Sequence, residues 1–164
     1  MVLEPHGSSL SVCTKWVAMV LNELNVPSKS FPVDLKNQKQ PFGKIPFIVD
    51  DGFVLYESRA IYRYIATKYA DQGPPLVPKD SHAWAKLEQA ASVGLCNFDT
   101  YTYDRILSKQ KYLGGDEFTL ADLFHIPIST LLPRAGFHTL QGKPNWLHSR
   151  PSWQAVKETV QGTA

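Results

Sequence analysis

The sequence has few cysteines and no grouping of residues that is typical of a metal site. Cys13 and Cys96 are its two cysteines, and they form neither a C-x-x-C motif nor the closely spaced set of a small secreted scaffold. No His, Cys, Asp and Glu residues have the spacing of metal ligands, so we expect no metal. This cysteine usage suits a reducing compartment.

Long apolar runs and clusters of one charge are also missing. No segment is apolar over the length of a membrane span, and Met1 to Pro5 lacks the features of a signal peptide. The 17 Lys and Arg residues nearly balance the 15 Asp and Glu residues, for a net charge of +2. Because phosphate binding needs clustered positive charge, we expect a cytoplasmic protein with no nucleic acid and no membrane among its partners.

The residues that are present predict a hairpin and a helix near the middle of the chain. Asp51-Gly52 is a two-residue hairpin turn signal between strand-like runs, Phe47 to Val49 and Phe53 to Tyr56. A helix is then predicted to begin within one residue of Ser58. The residues that recur at helical spacing are Ile61, Tyr64, Ile65 and Lys68.

Two features around this hairpin can recognise a peptide. The exposed amides of a helix start bind anions, so Ser58 and its neighbours can hold a carboxylate while Glu57 holds an adjacent ammonium group. Ile45-Pro46, at the start of the first hairpin strand, offers backbone groups that can pair with an extended peptide. A cis bond before Pro46 would point those groups outward, but the sequence does not decide its isomer.

The segments before the hairpin complete an α/β unit. Met1 to Glu4 is predicted as a first strand, followed by a loop and a helix from about Ser11 to Leu24. The buried face of that helix is predicted from Val17, Val20, Leu21 and Leu24. A second strand is predicted from the alternation of Phe31, Val33 and Leu35. The order β-α-β, then β-β-α, is that of a thioredoxin-like domain.

The rest of the chain is predicted to be helical. Residues 71–80 are rich in Gly and Pro and form a linker between residues 1–70 and an all-α domain of residues 81–164. The first helix of that domain has a predicted buried face made of Trp84, Leu87, Glu88, Ala91, Leu95 and Phe98. Thr119 and Asp122 have the spacing of a capping box and are interpreted as a structural helix start.

Two of these motifs carry a resemblance to a known family. Pro-Phe-Gly-Lys-Ile-Pro at residues 41–46, followed by Glu-Ser-Arg-Ala-Ile at residues 57–61, resembles the glutathione-binding half of glutathione S-transferases, most similarly the phi-type enzymes of plants and fungi. The resemblance implies the same fold: a thioredoxin-like N-terminal domain and an all-α C-terminal domain. It also implies transferase activity with glutathione as co-substrate, a hydrophobic electrophile or a peroxide as second substrate, and a homodimer.

The resemblance also assigns site residues. Helix capping is the ordinary explanation for the hydroxyl residues after the first strand, but Ser11 aligns with the catalytic serine of phi-type enzymes. Ser11 would stabilise the thiolate of bound glutathione. The peptide itself would be held by Lys44, Ile45, Pro46, Glu57 and Ser58.

Cys13 is the competing candidate for the chemistry. Thioltransferase-type relatives use a cysteine at this helix start and form a mixed disulfide with glutathione. Because Cys13 stands two residues beyond Ser11, inside the helix, we expect a half-buried structural thiol.

The chain departs from the family pattern in two internal segments. The loop after Gln38 is short, so the glycyl end of glutathione loses its usual contact unless Lys39 replaces it, and a longer piece is missing near Thr100. The second piece normally helps to form the electrophile pocket. An alternative function is therefore a non-catalytic glutathione-binding or protein-interaction module with the same fold.

Overall fold

The computed structural model describes residues 3–29, 31–33, 42–96, 105–130 and 149–158. The chain divides into two compact units, one formed by Met1–Pro74 with Pro151–Ala164 and the other by Pro75–Arg150. The division into residues 1–70, 71–80 and 81–164 stays a prediction.

The first unit contains a four-stranded sheet in the order β2-β1-β3-β4. The strands are β1 (Glu4–Gly7), β2 (Phe31–Pro32), β3 (Phe47–Asp50) and β4 (Phe53–Tyr56). Strand β1 pairs in parallel with β2 and antiparallel with β3, and β3 pairs antiparallel with β4. This arrangement confirms the predicted thioredoxin-like fold.

Strand β1 lies later in the chain than the sequence predicted. The strand predicted at Met1 to Glu4 overlaps β1 at Glu4, and Leu3 forms an isolated bridge to Ser28, but the predicted end was too early because His6-Gly7 resembles a loop and proline is disfavoured inside a sheet. In the structure Pro5 is nevertheless paired opposite Ile48 in a central strand. The hairpin prediction is confirmed, with Asp51 at φ 52° and Gly52 at φ 85°, as expected for a tight two-residue turn.

Helices pack on this sheet and on one another, and their buried residues include those that the apolar periodicity predicted. The helices of the first unit are α1 (Val12–Glu23), α2 (Ser58–Lys68) and, after the second unit, α5 (Pro151–Val156). Ile61 and Ile65 of α2 are fully buried. Helix α5 packs on α1, where the Ser152 hydroxyl donates to Glu23 Oε1 at 2.6 Å.

The second unit contains α3 (Ser81–Cys96) and α4 (Leu120–Ser129) among its described residues. Leu87 and Ala91 of α3 are buried as predicted, but Trp84, one turn earlier on the same side of the helix, is 51% exposed, and Phe98 lies outside the described residues. Thr119 and Asp122 form the predicted capping box of α4. Across the described ranges, no helix combines the length and apolar character of a membrane span.

Candidate functional site

Ser11 is the N-cap of α1. It has an extended backbone (φ −79°, ψ 123°), and its Oγ accepts a hydrogen bond from the Thr14 amide at 3.3 Å. The residue is half-buried. No residue in the described ranges accepts the hydroxyl proton of Ser11. The cap therefore uses the oxygen of Ser11, and its proton has no acceptor among the described residues.

The loop that carries Ser11 is held by its own hydrogen bonds. The Ser11 amide donates to the Ser8 carbonyl at 2.9 Å, and the Ser8 amide donates to Thr14 Oγ1 at 3.3 Å. Leu10, between them, is 90% exposed. The loop thus presents to solvent the apolar side chain of the residue that precedes Ser11.

The Ile45-Pro46 bond is cis, which the sequence left undecided. Ile45 is half-buried and Pro46 is buried at the entry to β3, while Lys44 is exposed just before them. Lys39, the other lysine assigned to glutathione, lies outside the described residues.

Helix α2 begins at Ser58, as predicted, and Glu57 is its N-cap. Glu57 has φ 68° and ψ 108°, a combination that is unfavourable for a residue with a side chain, and it is exposed. Its side chain makes no capping hydrogen bond. Such strain is often found at binding sites, because the surrounding structure must hold it in place.

The register of the sheet places these segments at one end. His6 is paired with Phe47 across β1 and β3, and Phe47 is paired with Tyr56 across β3 and β4. Three segments therefore lie at the same end of the strands: the loop after β1, Ile45-Pro46 before β3, and Glu57-Ser58 after β4. The predicted site residues within the described ranges belong to these three segments.

Two other residues, His6 and Cys13, lie near this end of the strands. His6 stacks on Phe47 with ring centroids 4.5 Å apart and lies 3.8 Å from Glu4. Cys13 is a half-buried free thiol in the first turn of α1, which is the environment expected for it.

A charged network occupies the opposite end of β3. Buried Asp50 accepts hydrogen bonds from the Tyr64 hydroxyl at 2.6 Å and from Lys68 Nζ. Burial alone would raise the pKa of Asp50, but hydrogen bonds from Lys68 and Tyr64 and the charge of Lys68 outweigh it and lower that pKa. The hydrogen bond to Asp50 is the main reason that the pKa of Lys68 is raised. This network ties α2 to the hairpin and is separate from the candidate site.

Sequence reasoning did not single out Gly7 and Thr14 as parts of the site. A Cβ atom on Gly7 would lie 2.5 Å from Thr14 Oγ1, so these two residues are in direct contact. The available signal was a glycine at the end of a strand followed by a threonine in the next helical turn. That signal is too common to be specific.

Comparisons with known proteins identify the family of the chain. The family model for the N-terminal domain of glutathione S-transferases matches residues 6–75, and the model for the C-terminal domain matches residues 100–158. Glutathione S-transferase PM239X14 of Arabidopsis thaliana is 35% identical, with 96% of this chain and 92% of the relative covered. The structure of glutathione transferase F7 from Populus trichocarpa aligns with a TM-score of 0.86 at 27% identity, covering 96% of this chain and 98% of that chain.

A fungal relative also shows where the chain is short. Glutathione S-transferase hmp2 of Hypomyces subiculosus is 34% identical, with 98% of this chain and 99% of the relative covered. Its alignment extends over 215 residues, more than the 164 residues of this chain, so internal segments of the relative have no counterpart here. The fold, the matched domains and these relatives together show that the chain belongs to the glutathione S-transferase family and is an enzyme that transfers groups to glutathione.

Proposed function

We propose that the Ser11 hydroxyl donates a hydrogen bond to the sulfur of bound glutathione and stabilises its thiolate. The observation that carries this proposal is the hydrogen-bond arrangement of Ser11, whose oxygen accepts from the Thr14 amide while its proton has no acceptor in the described ranges. A free thiol has a pKa of about 8.5 and is mostly protonated at neutral pH. A donor and a helix N-terminus directed at the sulfur lower that pKa, because both stabilise negative charge.

Glutathione is proposed to lie along the end of the strands where these three segments meet. The backbone of Ile45, beside Pro46, pairs with the cysteinyl portion, and the amides at Ser58 receive the γ-glutamyl carboxylate. Glu57, exposed at the same helix start, receives the ammonium group. Lys44 is proposed to contact the glycyl carboxylate. Lys39, which lies outside the described residues, is a second proposed contact of that carboxylate.

The thiolate then reacts with a small hydrophobic partner. In conjugation, a sulfur–carbon bond forms and the leaving group departs with the bonding electrons. In peroxide reduction, a sulfur–oxygen bond forms as the oxygen–oxygen bond breaks, the departing alkoxide takes up a proton to give an alcohol, and a second glutathione thiol converts the sulfenic acid to the disulfide and water. Exposed Leu10 beside Ser11 supports an apolar second substrate.

The experiment that tests the reaction measures binding and turnover separately. Glutathione affinity is measured by calorimetry, and turnover is measured with an activated aryl halide and with an organic hydroperoxide. We expect binding together with at least one of the two reactions. Binding without either reaction would favour the alternative, a glutathione-binding module without turnover, for which the missing internal segments are the specific observation.

We also propose a homodimer and a cytoplasmic location. Phe42, just before the glutathione-binding loop, is 67% exposed and lies against Tyr56 with ring centroids 6.2 Å apart. Aromatic residues are enriched at interfaces between subunits, so Phe42 is the described residue that we propose for this contact. Sedimentation should show a dimer that Phe42→Ala weakens and that Phe53→Ala, at another exposed phenylalanine, does not. A monomer at micromolar concentration would reject the dimer.

A further inference from the structure

Thr14 contacts both ends of the loop that carries Ser11. Thr14 is 5% exposed in the first turn of α1. Its amide donates to Ser11 Oγ at 3.3 Å, and its Oγ1 accepts from the Ser8 amide at 3.3 Å. The Ser11 amide donates to the Ser8 carbonyl at 2.9 Å. One residue therefore connects the start of the loop to its end, through its hydroxyl at Ser8 and through its backbone amide at Ser11.

Strand β1 ends directly against the same threonine. A Cβ atom on Gly7 would lie 2.5 Å from both Oγ1 and Cγ2 of Thr14, closer than non-bonded atoms approach. Only a residue without a side chain allows this contact. Thr14 is thus packed between the strand end and the loop, which restricts its rotamer.

Helix capping alone does not require this side chain. The cap uses the Thr14 amide, which almost any residue would supply at that position. The Thr14 hydroxyl makes a different contact, with the Ser8 amide. Its contribution is therefore to fix the loop rather than to start the helix.

We propose that Thr14 is a positioning residue for the Ser11 hydroxyl. This inference rests on the proposed role of Ser11 toward the glutathione sulfur. Because Ser11 Oγ accepts from the Thr14 amide, its own proton is directed away from that amide, and the accepted bond strengthens its donation. A loop that is free at Ser8 would let Ser11 change rotamer, and the hydrogen bond to sulfur would weaken.

The test compares Thr14→Val with Thr14→Ser. Valine keeps the shape and the backbone amide but removes the hydroxyl, whereas serine keeps the hydroxyl. The readouts are the ultraviolet absorbance of the bound glutathione thiolate against pH, the pH profile of kcat/KM with an activated aryl halide, and glutathione affinity by calorimetry. We expect Thr14→Val to raise the pKa of bound thiol by less than Ser11→Ala does, with little loss of affinity, and Thr14→Ser to restore the parent value.

The double variant Ser11→Ala with Thr14→Val separates positioning from a general structural effect. We expect it to titrate like Ser11→Ala alone, because Thr14 acts through Ser11. A parent-like profile for Thr14→Val, or a further shift in the double variant, would overturn the proposal while leaving the role of Ser11 intact. A parent-like profile for Ser11→Ala would instead reject the role of Ser11. If circular dichroism shows that Thr14→Val is unfolded, Thr14→Ala supplies the same comparison with serine.

Discussion

Helix α1 begins behind Ser11 and helix α4 behind Thr119, but the two hydroxyls have different surroundings. Ser11 is half-buried, and its oxygen accepts one amide. Thr119 is 5% exposed, and its hydroxyl donates to Asp122 Oδ2 at 3.2 Å. The proton of Thr119 is thus used inside the protein, whereas that of Ser11 has no acceptor among the described residues. Burial and the hydrogen-bond acceptor of the hydroxyl, rather than the type of capping residue, separate the structural helix start from the proposed functional one.

Asp122 is the centre of the structural helix start. It is fully buried, and its carboxylate accepts the Thr119 amide at 2.9 Å and the Leu113 amide at 2.8 Å. Burial raises the pKa of Asp122 to about 6, although these hydrogen bonds act in the opposite direction. A side-chain carboxyl group whose oxygens already accept hydrogen bonds from its own chain can stabilise the fold. It has no oxygen left to accept a hydrogen bond from a substrate.

The largest expected effect is on stability and follows from Asp122→Ala. Removing the carboxyl group leaves two buried amides without their acceptor, and at about 1–3 kcal/mol for each amide we expect a loss of roughly 2–6 kcal/mol. The measurement is urea unfolding at pH 5. Asp116→Ala, at an exposed aspartate nearby, is the matched control and should change stability little. Equal stability of the two variants would contradict the structural role of Asp122.

The same carboxylate predicts a dependence of stability on pH. Since the folded pKa of Asp122 is about 6 and its ordinary value is 3.8, its stabilising contribution is complete below pH 4 and is lost as pH rises to about 6. The whole loss is at most about 3 kcal/mol, at 1.36 kcal/mol for each pKa unit. Asp122→Asn does not titrate, so the advantage of the parent over this variant should shrink between pH 4 and pH 6.

The comparison with Asp122→Asn also removes the contribution of Asp50. The pKa of Asp50 is lowered, so its contribution is present above pH 4 and is lost only at lower pH. That contribution is common to the parent and the variant. An advantage of the parent that grows between pH 4 and pH 6 would show that the hydrogen bonds outweigh burial at Asp122.

At the helix start proposed to bind glutathione, Ser11→Ala should affect chemistry more than folding. We expect the pKa of bound glutathione to rise by about one to two units, since a hydrogen bond to a charged group contributes about 1.5–3 kcal/mol. Loss of the cap should cost only about 1 kcal/mol of stability. Thiolate absorbance against pH and urea unfolding give the two values. Ser9→Ala, in the same loop, is the control, and an unchanged titration of Ser11→Ala would remove Ser11 from the mechanism.

These two helix starts also show how far the sequence could predict the molecule. The turn residues Asp51-Gly52 and the apolar periodicity of α1 and α2 are local signals, and the elements that they predicted are present. Strand β1 was misplaced because Pro5 and Gly7 oppose strand structure locally, while pairing with β2 and β3 decides the outcome. The contact between Gly7 and Thr14 depends on the packing of a strand against a helix, so no local pattern predicts it.

The start of α2 extends the comparison to a third helix and gives the smallest expected effect. Glu57 has φ 68° and ψ 108° without a capping hydrogen bond, and strain of this kind costs of order 1–3 kcal/mol. Glycine removes the strain but loses more entropy on folding, so Glu57→Gly should raise the free energy of unfolding by about 1 kcal/mol. The same change should weaken glutathione binding, because the carboxylate proposed to hold the ammonium group is gone.

Asp51→Gly is the matched control for Glu57→Gly. Asp51 also has a positive φ of 52°, but it lies in a turn that aspartate tolerates and outside the candidate site. That control should leave glutathione affinity unchanged and shift stability less. A Glu57→Gly variant with parent affinity and parent stability would show that the backbone at Glu57 is neither strained nor part of the glutathione site.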